Sequence, residues 1–249
     1  MQKTLLTLGL LWFGLCTADE SRPILRIASD ATFAPFHMLD EAGDPTGFDI
    51  ELARAVARNA GFEPKVLVLP YENLFSGLVA NTHDVVAATT GITPEREQLY
   101  LFSRPYYETC QVAVVRVGST EPGSLSDLRG ARIGAGGSGT SMKAMQSIDA
   151  THIHLDGGQG VPALEAGEID AWLVDEFDGV AAARGSDGRL RVLPEAVALE
   201  HYAFVIAKGR EDLRERLNRS LVLLEQDGDI EKLQIEFGVK RDLNWPVVR

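Results

Sequence analysis

Residues 88–107 read ATTGITPEREQLYLFSRPYY, and this stretch turns a strand into a short helix that carries one arginine. Just before it, Asp84-Val85-Val86-Ala87-Ala88 is an apolar, β-branched run after Asn81-Thr82-His83 and predicts a buried strand. Thr93-Pro94-Glu95 then supplies an N-cap, a proline at the first helical position and an acidic first turn. Arg96 falls in that turn, above the C-terminal edge of the strands, which is where ligands bind in open α/β sheets. Its planar fork of donors suits a carboxylate held by two parallel hydrogen bonds. The other reading is a surface arginine paired weakly with Glu95 or Glu97.

Composition narrows the class. A chain of 249 residues with 45% apolar and 24% charged residues is long enough for one large or two modest globular domains. A net charge of −12, with no basic stripe to interrupt it, argues against nucleic acid and anionic membrane surfaces as partners, because either would repel the chain. Met1-Gln2-Lys3 followed by the apolar residues 5–15 has the form of a secretory signal, with Cys16-Thr17-Ala18 offering small residues for cleavage after Ala18. A buried first helix is the other reading of this segment. Cys16 also opens a lipid-modification route, although Leu15 stands where such signals want a small residue. Cys16 and Cys110 are the two cysteines, so once the signal is removed no disulfide framework is available. Cys110, inside a strand-like run with no histidine near it, reads as a small buried hydrophobe.

Strand and helix patterns alternate along the rest of the chain. Residues 24–28 predict a strand and Gly43-Asp44-Pro45 a turn. A helix starting at Gly47-Phe48-Asp49-Ile50, capped by Asp49, carries Leu52, Ala53, Val56, Ala57 and Ala60 on one face and stops at Gly61. Residues 65–69 predict the second strand, and Leu74, Phe75, Leu78 and Val79 a helix after it. Residues 111–117 form a β-branched run, and residues 203–207 are expected to be its late counterpart. In the second half, a helical turn at residues 125–130 and a strand at residues 131–135 precede the glycine-rich 136–141, which opens a helix through Met142, Met145 and Ile148. That loop offers free N–H groups to an anion. It has neither the Lys-Ser/Thr tail of a P-loop nor a dinucleotide spacing, so no nucleotide cofactor is expected. Residues 210–226 and 229–237 predict two amphipathic C-terminal helices. His152 and His154 share a strand face, but no third ligand has metal spacing, and no metal is expected.

The segments GITPER (91–96) and FSRPYYE (102–108) resemble the domain-one signature of the extracellular solute-binding proteins of amino-acid ABC transporters, family 3. The resemblance runs from Ile24 to Phe237. It implies a two-lobed, type II periplasmic binding protein-like α/β fold, with a mixed sheet in each lobe and a ligand cleft between lobes joined by two hinge strands. The implied division is residues 1–18 as signal peptide, 19–115 and 206–249 as lobe one, and 116–205 as lobe two. The implied function is capture of a small polar amino acid or related carboxylate by hinge closure, and delivery to the membrane subunits of an ABC transporter. A monomer, periplasmic or extracellular and without enzyme activity, is expected.

The same resemblance nominates the site. Asp30-Ala31-Thr32-Phe33-Ala34-Pro35-Phe36 is similar to the family's opening D-x-T-aromatic-x-P-F, which makes Asp30 a site residue and places the Phe33 ring against the ligand, with Phe36 in the core. Tyr71 stands where the family carries a second aromatic; for both rings core packing is the alternative. The 136–141 loop is similar to the family's Q-x-G-T-T turn, so Thr140 and Ser141 are to hold a carboxylate opposite Arg96. Residues 161–171 are similar to the family's step into a strand, and Asp175 at that strand's end is to receive an α-ammonium, a role compatible with capping the next helix. Position 91 departs from the pattern: the family usually has Ser or Thr there, and the chain has glycine. Gly91 removes one hydroxyl, worth about 1 kcal/mol, from the ammonium site and leaves the backbone and Thr89 as acceptors. A ligand bulkier near its ammonium, or one that is not a plain α-amino acid, would fit that change. Cyclohexadienyl dehydratases also resemble these proteins; that chemistry needs an acid in the cleft, for which Asp178 or Glu176 is the candidate.

Overall fold

The computed structural model describes residues 22–118, 121–136, 140–146, 148–156 and 158–241. The expected signal, Cys16 and part of the glycine-rich loop lie outside these residues, as do the side chains of Met142 and Lys143.

Two five-stranded sheets carry the molecule. The first half contributes β1 (Ile24–Ser29), a small hairpin of β2 (Met38–Leu39) and β3 (Pro45–Thr46), α1 (Phe48–Asn59), β4 (Glu63–Val68), α2 (Tyr71–Val79), β5 (Val85–Val86), α3 (Pro94–Leu99) and β6 (Tyr100–Phe102). After these come β7 (Tyr107–Arg116), a 3₁₀ turn (Leu125–Leu128), β8 (Arg132–Ala135), α4 (Thr140–Gln146), β9 (Thr151–His154), α5 (Gly160–Glu165), β10 (Ala171–Asp175) and α6 (Glu176–Gly185). The chain ends in β11 (Leu190–Tyr202), β12 (Val205–Ala207), α7 (Glu211–Gln226) and α8 (Asp229–Glu236). Strand order is β4-β1-β5-β12-β6 in the first sheet and β11-β7-β10-β8-β9 in the second. Both sheets are mixed: β1 runs parallel to β4 and β5 while β12 is antiparallel to β5 and β6, and β10 runs parallel to β8 while β7 is antiparallel to β10 and β11.

The central strands of each sheet are buried on both faces, and successive side chains along them enter opposite clusters. Leu25 and Ile27 of β1 join Leu52 and Val56 of α1 and Leu213, Leu217, Leu221 and Leu224 of α7. Ala28, the next residue along, faces the other way, onto Leu74 and Leu78 of α2. Each fully buried leucine contributes about 1.5–3 kcal/mol, so the four of α7 fix the C-terminal helix to the first sheet. In the second sheet, Ala113 and Val115 point toward Leu128 and Met145, and Val114 toward Leu164 and Trp172.

Three expectations are corrected here. The chain changes sheets between Phe102 and Tyr107, and again between Tyr202 and Val205. These points precede the boundaries at 115/116 and 205/206 read from the sequence. The partner of β7 is β11, whereas residues 203–207 end in the first sheet. Strand β11 was illegible because Pro194 interrupts it and the register shifts between Val192 and Ala196 and again between Ala196 and Ala198, which breaks the two-residue alternation. Asp49 is not the cap of α1. Gly47 holds that position, and Asp49, fully buried one residue inside the helix, reaches the Thr89 N–H at 2.6 Å.

Candidate functional site

The C-terminal ends of β1, β5, β8 and β10 meet across a cavity of about 200 Å³ lined by Phe33, Tyr71, Ala88, Thr89, Thr90, Arg96, Gln111, Thr140, Asp175, Glu200 and Tyr202. The first six come from the half of the chain that builds the first sheet and the rest from elements of the second. Of the nine residues expected in the site, Phe33, Tyr71, Thr89, Arg96, Thr140 and Asp175 line the cavity. Asp30, Gly91 and Ser141 stand one step behind it.

On the first-sheet side, α3 presents Arg96. Thr93 caps this six-residue helix by accepting from the Arg96 N–H at 3.3 Å, and the Arg96 guanidinium donates to the Gly91 carbonyl at 2.8 Å. The bend that precedes the helix is strained: Thr89, a β-branched residue, sits at φ 40°. Two side chains hold it there. Asp49 accepts its N–H, and His37 Nε2 lies 3.2 Å from its hydroxyl. The other His37 nitrogen is 3.1 Å from Asp30, so Asp30 acts beneath the site rather than in it. Burial would raise the Asp30 pKa, but contacts with His37 and Thr32 outweigh it and hold the carboxyl below its ordinary value. Burial dominates at Asp49 and pushes its pKa up to about 6. Phe33 stacks on the fully buried Phe36 with ring centroids 5.2 Å apart, and Tyr71, 47% exposed, stands at the mouth.

On the second-sheet side, five polar residues share one end of three neighbouring strands. Thr109 and Gln111 alternate along β7, Glu200 and Tyr202 along β11, and Asp175 ends β10. Asp175 caps α6 by accepting from the Phe177 N–H at 3.1 Å, and also accepts from the Tyr202 hydroxyl and, at 3.3 Å, the Thr109 hydroxyl. Burial pushes its pKa up to about 7; the Tyr202 bond works against that and the nearby Glu200 charge adds to it. Glu200 is 6% exposed. Its two oxygens accept from Thr140 Oγ1 at 2.7 Å and from Gln111 Nε2 at 2.9 Å, and the Ser141 hydroxyl donates to Gln111 Oε1 at 2.8 Å. Burial raises the Glu200 pKa against those bonds and the Arg96 charge. The Thr140 and Ser141 hydroxyls, expected to hold a ligand carboxylate, are therefore engaged by Glu200 and Gln111, the acceptors nearest them on the sheet.

Sequence reading missed Gln111, Glu200 and Tyr202. The signal available was the i, i+2 spacing of Glu200 and Tyr202 just ahead of the apolar 203–207, hidden by the irregular strand that carries it. The dehydratase candidates lie elsewhere: Glu176 binds Arg241 at 2.6 Å and borders a different cavity with Arg184 and Lys240, and Asp178 lines neither. Among the described residues no group of three His, Cys, Asp or Glu side chains is placed to share a metal ion, and no helix is long and apolar enough to cross a membrane.

Known proteins share this architecture. The L-cystine-binding protein TcyJ of Escherichia coli K12 is 27% identical over 224 residues, covering 88% of this chain and 84% of its own. An ancestral arginine-binding protein bound to arginine superposes with a TM-score of 0.72 at 28% identity, over 87% of this chain and 98% of that one. The ancestral amino acid-binding protein AncCDT-1, a precursor of cyclohexadienyl dehydratase, superposes with a TM-score of 0.73 at 26% identity, over 86% and 95%. The profile of one family spans residues 25–240, nearly everything described above: the chain belongs to the bacterial extracellular solute-binding proteins, family 3.

Proposed function

We propose that this protein captures a small amino acid in the cleft between its two sheets and, by closing on it, presents it to the membrane subunits of an ABC transporter outside the cytoplasm. The observation that carries this reading is the single cavity on which Arg96 from one half of the chain and Asp175 from the other converge. Arg96 receives the ligand carboxylate and Asp175 its ammonium, while the Phe33 and Tyr71 rings cover the apolar part. Because these groups come from both halves, the ligand has all its contacts in the closed form alone and shifts the population toward it. The segments 103–106 and 203–204, where the chain passes between the sheets, are the hinge. The cavity is complete within one chain, which supports a monomer. Removal of residues 1–18 releases the protein, and lipid attachment at Cys16 is the alternative that mass spectrometry of the mature protein distinguishes.

A binder is favoured over a dehydratase, because the family and the relatives named above are binding proteins and the acids nominated for dehydration, Asp178 and Glu176, stand outside the cavity. A thermal-shift screen against amino acids, keto acids and prephenate tests both readings. A ligand at a hundred times its Kd adds about 2.7 kcal/mol, a rise of about 5–10 °C for a chain of this size. Arg96→Ala should abolish the rise; an unchanged rise removes Arg96 from the site. Consumption of prephenate, stopped by substitution of an acid that lines the cavity, Asp175→Asn or Glu200→Gln, would replace the binding-only reading.

A further inference from the structure

Gly91 does not need to be glycine for its own backbone, since it is not among the positive-φ residues. It needs to be glycine because of a neighbour: a Cβ placed on it would lie 2.1 Å from Glu200 Oε1 and 3.0 Å from the carboxyl carbon. The Glu200 carboxylate is in turn fixed at that spot by Thr140 and Gln111, one on each oxygen. The hydroxyl missing at position 91 and the acid on β11 are thus one arrangement, in which a carboxylate fills the space a serine or threonine side chain would take.

That carboxylate changes the charge the cavity presents. Among the lining residues Arg96 is the one cation, set against the two acids Asp175 and Glu200. A zwitterion uses Arg96 for its carboxylate and Asp175 for its ammonium. Glu200 is then enclosed with two neutral donors and shares its nearest cation in the cavity, Arg96, with the ligand carboxylate, and burying a charge short of an opposite partner is costly. A second positive group on the ligand removes that cost. Resting on the function proposed above, we infer that Glu200, given room by Gly91, is the specificity-determining residue of this cleft. It selects amino acids whose side chain carries a positive charge, an ammonium or guanidinium, over neutral ones of the same shape.

The test is calorimetric titration with ligand pairs matched in shape and differing in charge: arginine against citrulline, and lysine against norleucine. The wild-type protein should prefer the cation of each pair by about thirtyfold or more, the scale of a buried charge left unpaired. Glu200→Gln keeps the shape and the neighbours and should bring both ratios to within about threefold, with citrulline still bound. Gly91→Ser, whose Cβ displaces the carboxylate, should lower the ratios through a residue that carries no charge, and it serves if Glu200→Gln fails to fold. Equal affinity of the wild-type protein for arginine and citrulline overturns the inference and leaves the binding function standing, as does an unchanged preference in both variants. Failure of the wild-type protein to bind any amino acid overturns both.

Discussion

Asp175 ties ligand binding to pH. Burial, reinforced by the Glu200 charge and opposed by the Tyr202 hydroxyl, brings its pKa up to about 7, and an ammonium binds the ionised form. Affinity for an amino acid should be full above about pH 7 and fall by up to about tenfold per unit below it, with a proton released on binding near neutrality. Titrations from about pH 5 to 8 in buffers of different ionisation enthalpy measure both. A flat profile with no proton release would remove Asp175 from the ammonium site. The sign is opposite for the empty protein. A carboxyl raised by folding stabilises the fold below its unfolded pKa near 4, and that contribution is lost as pH rises through about 7. Asp175→Asn should therefore flatten the affinity profile and make the empty protein more stable at about pH 8.

At the scale of elements, two helix starts set the position of the binding groups. Helix α3 is six residues long and carries Arg96 three residues after its cap. Thr93→Ala should cost about 1 kcal/mol in denaturant unfolding and weaken ligand binding as well, since the turn bearing the guanidinium loosens. Serine at this position should restore both. The start of α1 is tighter. Gly47 has φ 116°, and a Cβ on it would lie 2.4 Å from the Phe36 carbonyl oxygen. Gly47→Ala should cost more than about 2 kcal/mol, because backbone strain and a backbone clash add together. The same angle brings Asp49 under Thr89, so a surviving variant should also bind ligand more weakly; unaltered affinity would show that the strained Thr89 bend stands without Asp49.

At the scale of the whole molecule, the C-terminal segment also joins the two halves. After α8 the chain leaves the first sheet, where Val239 accepts from the Tyr107 hydroxyl at 2.7 Å. Arg241 then pairs with Glu176 at 2.6 Å and Glu108 at 3.0 Å on the second-sheet side. Glu176 is 6% exposed, so Arg241→Ala should lower stability by about 1.5–3 kcal/mol, read as a fall in the melting temperature. This contact lies on α6, the helix that Asp175 caps. If it guides closure, small-angle scattering should show ligand shrinking the wild-type protein and shrinking the variant less.

Local chemistry was readable from the residues alone. The Thr93-Pro94 start of α3, the burial of Cys110, the apolar faces of α1 and α7 and the strand ending at Asp175 each depend on neighbours within a turn or a few residues of sequence. The motifs around Phe33, Arg96 and Asp175 carried the family and with it the two-lobed expectation. What depends on distant partners was not readable. The true crossing points follow from which sheet each strand joins, and β11 hides its alternation behind Pro194 and two register shifts. Gly91 looked like a lost hydroxyl until folding brought Glu200, more than a hundred residues later in the chain, into the space its side chain would have filled. Sequence determines which residues can be charged, capped or buried. Only tertiary structure decided which charge stands opposite which, because that is a distance through space that no local pattern records.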